Sequence, residues 1–166
     1  VPPHNLNEVV SACVRLLDGP DATVADLCEH VRGPDYPTGA EIITAAADLR
    51  TMYETGNGSV RARATWSKEA SGNFVVTTLP YQVSPSKVIE QIAALISDRK
   101  LPILEDVRDE SDEQIRIVLV PKSRNVDPDI LKESLYRLTE LESRFALNLN
   151  VLDATRTPKV MGLHQL

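Results

Sequence analysis

Three kinds of side chain in this sequence could take part in catalysis or metal binding: tyrosine hydroxyls, histidine imidazoles and a run of carboxylates. The carboxylates lie in DESDE at residues 109–113, and clustered carboxylates are ligands that a hard cation prefers. A run of like charges between two predicted strands is, however, more typical of a solvated turn. His4, His30 and His164 are too scattered for a metal site or a catalytic triad. We therefore predict no metal site in this chain.

Two arginines have the spacing to bind phosphates. Arg61 and Arg63 alternate with apolar residues over residues 60–66, so they share one face of a predicted strand and lie about 7 Å apart. This separation suits neighbouring phosphates of a nucleic acid. The alternative is a solvated strand face with cross-strand ion pairs.

The composition is that of an ordinary globular chain. With 166 residues, 42% hydrophobic and 25% charged, it can bury its own core as one domain or one domain and part of another. No apolar run approaches the roughly 20 residues that span a bilayer, so we expect a cytoplasmic protein without membrane contact. The net charge of −6 argues against a nucleic-acid module, because such domains usually carry a basic face. Cys13 and Cys28 occupy apolar helical positions, where we expect reduced, buried thiols.

Apolar residues at three-to-four spacing predict five helices. The first begins after Asn5 or Asn7, ends at Gly19 and has an apolar face made of Leu6, Val9, Val10, Cys13, Val14 and Leu17. A capping box of Thr23 and Asp26 begins the second helix, and the third covers about residues 45–54. The last two begin where a capping residue precedes a proline, at Ser84-Pro85 and Asp127-Pro128.

From residue 60 the apolar period changes from 3.6 to 2, which predicts strands. Residues 60–66 and 73–79 are predicted to form one hairpin, and residues 103–107 and 114–120 a second one around the acidic turn. Each hairpin precedes one of the last two helices, so we predict an α+β fold in which antiparallel hairpins and helices form two layers. Residues 145–151 add a strand that pairs with Val160 and Met161.

Seven motifs, in order along the chain, resemble the A subunit of bacterial type IIA DNA topoisomerases. They are VPPHN at residues 1–5, GPDYPTGAEII at 33–43, YETGNGSVRARATW at 53–66, LPYQVSPSKVIEQIAALI at 79–96, VRDESD at 107–112, IVLVPKSRNVD at 117–127 and LNLNVLD at 147–153. Several motifs in one order are far more specific than one. Within the family, the second motif, Trp66 and VPKSRNVD are more similar to topoisomerase IV than to gyrase.

The resemblance implies a fragment of a larger enzyme. Residues 1–56 would be the end of the DNA-cleaving winged-helix domain with a helical connector, and residues 57–166 an α/β tower domain. The parent enzyme would be an A2B2 complex of an A-subunit homodimer with the topoisomerase IV B subunit, associated with the nucleoid. It would bind and bend one DNA duplex and pass another through it, for decatenation and relaxation. Mg²⁺ and ATP would come through the B subunit, with no cofactor in this fragment.

The resemblance also implies that the fragment does not cleave DNA. The family's nucleophile is a tyrosine beside an arginine, and none of the four tyrosines here has that setting. We expect the nucleophile upstream of Val1, no catalytic residue in this chain, and core or boundary positions for Tyr36, Tyr53, Tyr81 and Tyr136.

DNA contacts are implied at the first motif. In the family the residue before PPHN is typically an isoleucine that wedges between base pairs and kinks the duplex. Val1 takes that place here and is one methylene shorter, or roughly 0.8 kcal/mol of burial. The alternative is that the segment simply leads into the first helix. The predicted DNA-binding residues are Val1, Pro2, His4, Asn5, Arg61 and Arg63, although Asn57 stands where the family usually has an arginine.

Two other identities remain open from the residues. The A subunit of a gyrase is of the same class of enzyme and would add negative supercoiling. A non-catalytic protein-interaction module is of another class, and the acidic net charge favours it.

Overall fold

The computed structural model describes all 166 residues and has a mixed α+β fold. The elements are α1 (Leu6–Asp18), α2 (Val24–Cys28), β1 (Glu41–Ile42), α3 (Ala46–Thr55), β2 (Asn57–Arg63), β3 (Thr65–Lys68), β4 (Phe74–Thr78), α4 (Pro85–Ser97), β5 (Leu104–Asp109), β6 (Ile117–Pro121), α5 (Pro128–Leu138), β7 (Glu142–Asn148), β8 (Asn150–Leu152) and β9 (Pro158–Val160). The strands form three small sheets, ordered β1-β2-β7, β3-β4-β6-β5 and β8-β9. The predicted α+β class is therefore confirmed.

The chain forms two compact units. Unit 1 comprises Val1–Pro37, Ile43–Arg61 and Arg144–Leu166, and unit 2 comprises Thr38–Ile42 and Ala62–Ser143. These units are defined by packing, so the names winged-helix and tower, and the boundary at residue 56, stay predictions.

Unit 1 is built from α1, α2 and α3 around a small core. Leu27 of α2, Tyr53 of α3 and Leu149 are each at most 3% exposed there. Helix α3 ends at Gly56, whose φ of 78° lies in the left-handed region that favours glycine. A Cβ at this glycine would also collide with the carbonyl oxygen of Met161.

Unit 2 has a four-stranded antiparallel sheet with two helices. The hairpins β3-β4 and β5-β6 are joined by pairing of β4 with β6, in which Val75 lies opposite Val118. Helix α4 contributes Val88 and Ile92 to the core, and α5 contributes Leu131 and Leu135, all fully buried. The second predicted hairpin is confirmed.

Local capping explains where most helices begin. Side-chain oxygens of Asn5, Ser84 and Asp127 accept backbone N–H groups in the first turns of α1, α4 and α5. Thr23 and Asp26 form the predicted capping box of α2. Helix α3 is different because its N-cap is Ala45, which has no side-chain acceptor.

The first predicted hairpin is wrong in its first strand. Residues 60–66 do not form one strand: β2 ends at Arg63, β3 begins at Thr65, and the two belong to different sheets. The break lies at Ala64, which is buried and donates its N–H to the carbonyl oxygen of Leu141 over 2.8 Å. The alternation of apolar residues continues through the break, so the sequence pattern does not reveal it.

The predicted burial of the two thiols and of the apolar face of α1 is also wrong. Cys13 is exposed and Cys28 is half-buried, where we expected both in the core. Leu6 and Leu17 are 76% and 82% exposed. The reason is that α1 packs through its other side, where Ala12 is buried and Glu8 accepts the backbone N–H of Arg32 over 2.9 Å.

No helix of the structure combines the length and the apolar character needed to cross a bilayer. The strand predicted over residues 145–151 is wrong as a single element, because β7 ends at Asn148 and β8 begins at Asn150, and the two belong to different sheets. The predicted pairing with Val160 is present in β8 and β9, where Asn150 lies opposite Val160, and Met161 follows β9 and donates its N–H to the carbonyl oxygen of Leu149 over 3.0 Å.

Candidate nucleic-acid interface

The segment at residues 1–5 is fixed to unit 1 by hydrogen bonds of its backbone and side chains. The backbone N–H of Asp35 donates to the carbonyl oxygen of Pro3 over 2.8 Å. Asn5 Oδ1 caps α1 through the N–H of Glu8 at 3.2 Å, and its Nδ2 donates to Asp35 Oδ2 at 3.4 Å. The segment therefore has a defined path before the helix begins.

His4 is the strongest anchor of this segment. Its Nδ1 lies 2.8 Å from the carbonyl oxygen of Pro2, and its Nε2 lies 2.7 Å from the hydroxyl of Tyr53. Because a carbonyl oxygen only accepts, Nδ1 donates to it, and in the neutral imidazole Nε2 then accepts the tyrosine proton. Burial raises the pKa of Tyr53 far above its ordinary value, so this hydroxyl stays a proton donor.

Val1 is presented to solvent while the residues behind it are held. Val1 is 65% exposed, whereas Pro2, His4 and Asn5 are half-buried. The arrangement is an exposed apolar side chain beside a fixed segment, which is the form an intercalating side chain needs. The support that Tyr53 gives to His4 has no signal in the sequence, because no spacing rule links residues 4 and 53.

Arg61 lies in unit 1 on the rim of an open groove. Its backbone N–H donates to Thr44 Oγ1 over 2.9 Å, and its carbonyl oxygen accepts the N–H of Ile43 over 3.0 Å. The side chain is exposed and lines the groove together with Arg144 of β7. No spacing in the sequence links Arg61 with Arg144, whereas Arg61 and Arg63 lie two residues apart on one strand.

Arg63 lies in unit 2 and has partners there. Its Nε is 3.4 Å from Glu142 and its Nη1 is 3.6 Å from Glu133, while its guanidinium lies 4.4 Å from the ring centre of Tyr136. The side chain is 26% exposed. This is the ion-paired strand face that the sequence left open as the alternative, so a DNA contact by Arg63 stays a prediction that must compete with these partners.

In the acidic turn, carboxylates accept hydrogen bonds from backbone N–H groups of the turn itself. Asp109 accepts the N–H of Ser111 at 3.0 Å, and Asp112 accepts that of Gln114 at 2.8 Å. Glu110 lies 3.6 Å from Arg116. No group of three or more His, Cys, Asp or Glu side chains is placed to hold a metal ion.

The four tyrosines have the positions predicted for core or boundary residues. Tyr53 is 1% exposed and the other three are half-buried. Burial raises the pKa of Tyr36 and, as the largest cause, that of Tyr136. The raised pKa values keep the hydroxyls of Tyr36 and Tyr136 protonated at neutral pH.

Comparison with known proteins identifies the class. The family model of the A subunit of DNA gyrase/topoisomerase IV matches residues 1–166. The chain belongs to this family.

Within the family, the similar curated relatives are the A subunits of DNA topoisomerase 4 from several bacteria. The chain is 56% identical to that of Caulobacter vibrioides over 99% of its length, 55% identical to that of Pseudomonas aeruginosa over 100%, and 47% identical to that of Escherichia coli over 100%. The predicted resemblance to the topoisomerase IV A subunit is confirmed. The chain spans 22% of the length of each of these three relatives.

Proposed function

We propose that this chain is a DNA-binding and DNA-bending part of a topoisomerase IV A subunit. The parent is an ATP-dependent type IIA enzyme that decatenates and relaxes DNA, and this part holds the gate duplex while the chemistry takes place elsewhere. The observation that carries the proposal is the exposed Val1 on a base fixed by His4, Tyr53 and Asp35. The family match over all 166 residues supports it.

In this proposal the fragment itself does not cleave DNA. Residues 1–56 are the end of the winged-helix domain, and residues 57–166 are the tower domain. The parent A2B2 complex supplies the nucleophilic tyrosine, a second copy of the A subunit, and the B subunit with Mg²⁺ and ATP. That complex acts on cytoplasmic, nucleoid-associated DNA.

The wedge is tested by shortening Val1 in the full-length protein that contains this chain. Val1→Ala removes two carbons, which corresponds to roughly 1.5 kcal/mol of apolar burial between base pairs. We expect about a tenfold lower fraction of bent DNA relative to unbent complex, because about 1.4 kcal/mol is a factor of ten. The bend is measured by energy transfer between dyes at the two ends of a short duplex.

The matched control is Val14→Ala, the same substitution at a residue of α1 that is 50% exposed. This variant should bend DNA as the unchanged protein does. Equal bending by the Val1→Ala variant and the control would contradict the wedge.

A second candidate function is a protein-interaction module. The specific observation in its favour is the exposed apolar face of α1, because contiguous apolar surface commonly marks a contact site. DNA affinity that does not depend on salt concentration, or no DNA binding at all, would favour this module over the gate-binding proposal.

A further inference from the structure

Tyr53 contacts two segments that are far apart in the sequence, one through its side chain and one through its backbone. Its hydroxyl lies 2.7 Å from His4 Nε2, and the centres of the two rings are 5.8 Å apart. Its carbonyl oxygen accepts the N–H of Leu163 over 2.7 Å. Tyr53 therefore lies between the segment at residues 1–5 and the segment at residues 161–163.

The last turn of α3, which carries Tyr53, is a rigid support. The carbonyl oxygen of Gly56 accepts the N–H of Leu149 over 2.8 Å. Gly162 packs directly on the backbone of this turn, because a Cβ at Gly162 would collide with the carbonyl oxygen of Glu54. The side chain of Tyr53 is itself 1% exposed. A tyrosine that is buried and held in this way cannot follow His4, so it sets the position that His4 takes.

The connection from His4 back to Val1 is short and stiff. Pro2 and Pro3 are the only residues between them. Each proline ring fixes its own φ, and a residue that precedes a proline is restricted to extended conformations. The His4 ring is also tied to this stretch, because its Nδ1 lies 2.8 Å from the carbonyl oxygen of Pro2. A change in the position of the His4 ring is therefore passed on to Val1.

The space beside the contact would let His4 turn if the bond to Tyr53 were lost. A cavity of about 210 Å³ is lined by Val1, His4 and Tyr53 together with residues that are apolar except for Cys13 and His164. Few groups there could replace the tyrosine hydroxyl as a hydrogen-bond partner of His4 Nε2. The hydroxyl thus selects one orientation of the imidazole among those that the cavity would allow.

We propose that Tyr53 is a positioning residue for DNA bending: its hydroxyl, acting through His4, holds Val1 in the orientation in which it enters the duplex. The inference rests on the proposed function and goes beyond it, because it assigns a role to a buried hydroxyl that cannot reach DNA itself. The hydroxyl acts on the bent state of the complex and leaves the contacts to the DNA backbone in place.

The test is Tyr53→Phe in the full-length protein that contains this chain. This substitution removes the hydroxyl and keeps the ring, so the packing against His4 is retained. One hydrogen bond corresponds to about a fivefold change in an equilibrium, so the ratio of bent to unbent DNA should fall about fivefold. The ratio is measured by energy transfer between dyes on the duplex ends at saturating protein, where a change in affinity does not enter.

The double variant with Val1→Ala separates positioning from a general effect on folding. If Tyr53 acts through Val1, it has little left to position once that side chain is shortened. Tyr53→Phe should then change the ratio by less than about twofold in the Val1→Ala background, because effects that share one path are not additive. A purely structural role of Tyr53 would lower the ratio by the same factor in both backgrounds.

The matched control is Tyr81→Phe, which removes a hydroxyl from a half-buried tyrosine of unit 2 and should leave the ratio unchanged. The inference is overturned if Val1→Ala lowers the ratio and Tyr53→Phe behaves as this control, or if the effects of Val1→Ala and Tyr53→Phe multiply in the double variant. Either result leaves the proposed function intact. If Val1→Ala bends DNA as the unchanged protein does, the proposed wedge fails and the inference is overturned with it.

Discussion

Helices α1 and α4 are alike in sequence design and opposite in burial. Each has 13 residues, begins at a side-chain cap and carries apolar residues at three-to-four spacing. In α4, Val88 and Ile92 of the apolar face are fully buried. In α1 the corresponding face is open, with Val10 at 51% and Leu17 at 82% exposure.

The difference teaches what apolar periodicity can establish. Apolar periodicity locates a helix and its apolar face, because apolar residues that recur at each helical turn lie on one side of the helix. It does not establish that the face is covered by the same unit. Helix α1 is attached instead through Glu8 to the backbone of Arg32 and through Arg15, 3.8 Å from Asp26.

The comparison is tested most strongly by the same substitution in both helices. Val88→Ala in α4 should lower the free energy of unfolding by about 2 kcal/mol or more, because it removes two buried carbons and leaves a cavity. Val10→Ala in α1 should change it by only a few tenths, in the stabilising direction, because alanine is the better helix former. Urea unfolding of the 166-residue chain measures both. Equal losses would mean that the two faces are equally buried.

A smaller effect tests how α1 is held. Glu8→Ala removes the carboxylate that accepts the backbone N–H of Arg32 over 2.9 Å, and should lower the free energy of unfolding by about 1 kcal/mol. The matched control is Glu90→Ala, an exposed glutamate of α4, which should have almost no effect. Urea unfolding measures the free energy of unfolding of both variants. A Glu8→Ala variant as stable as the control would show that this bond does not hold the helix.

Much of the fold was predictable because its signals are local. The caps at Asn5, Thr23, Ser84 and Asp127 and the end of α3 at Gly56 follow from the residue types at those positions. The break at Ala64 was not predictable, because it depends on a backbone hydrogen bond to Leu141, 77 residues along the chain (141 − 64). Strand β1 has only two residues, too few to show an alternating pattern.

The candidate site also has some features that the sequence predicts and others that it does not. Residues 1–5 were found from their motif, and Arg61 from its place on a strand. Tyr53 supports His4, and Arg144 lines the same groove as Arg61. In both cases the two residues lie far apart in sequence and meet only after folding. The ion pairs of Arg63 with Glu133 and Glu142 are of the same kind. Long-range contacts of this sort leave no spacing signal in a single sequence.

The smallest expected effect gives the sharpest test of the open face of α1. Leu17→Lys places a charge on a residue that is 82% exposed, in the last turn of the helix. Little burial is lost, and a cation near a helix C-terminus is favourable by about 0.3 to 1 kcal/mol, so the chain should be unchanged or slightly more stable. Ser97→Lys, at the last position of α4, isolates the gain from the helix dipole alone. Thermal unfolding of both variants decides the matter: a loss above about 1 kcal/mol at Leu17, absent at Ser97, means that Leu17 is covered in the folded chain.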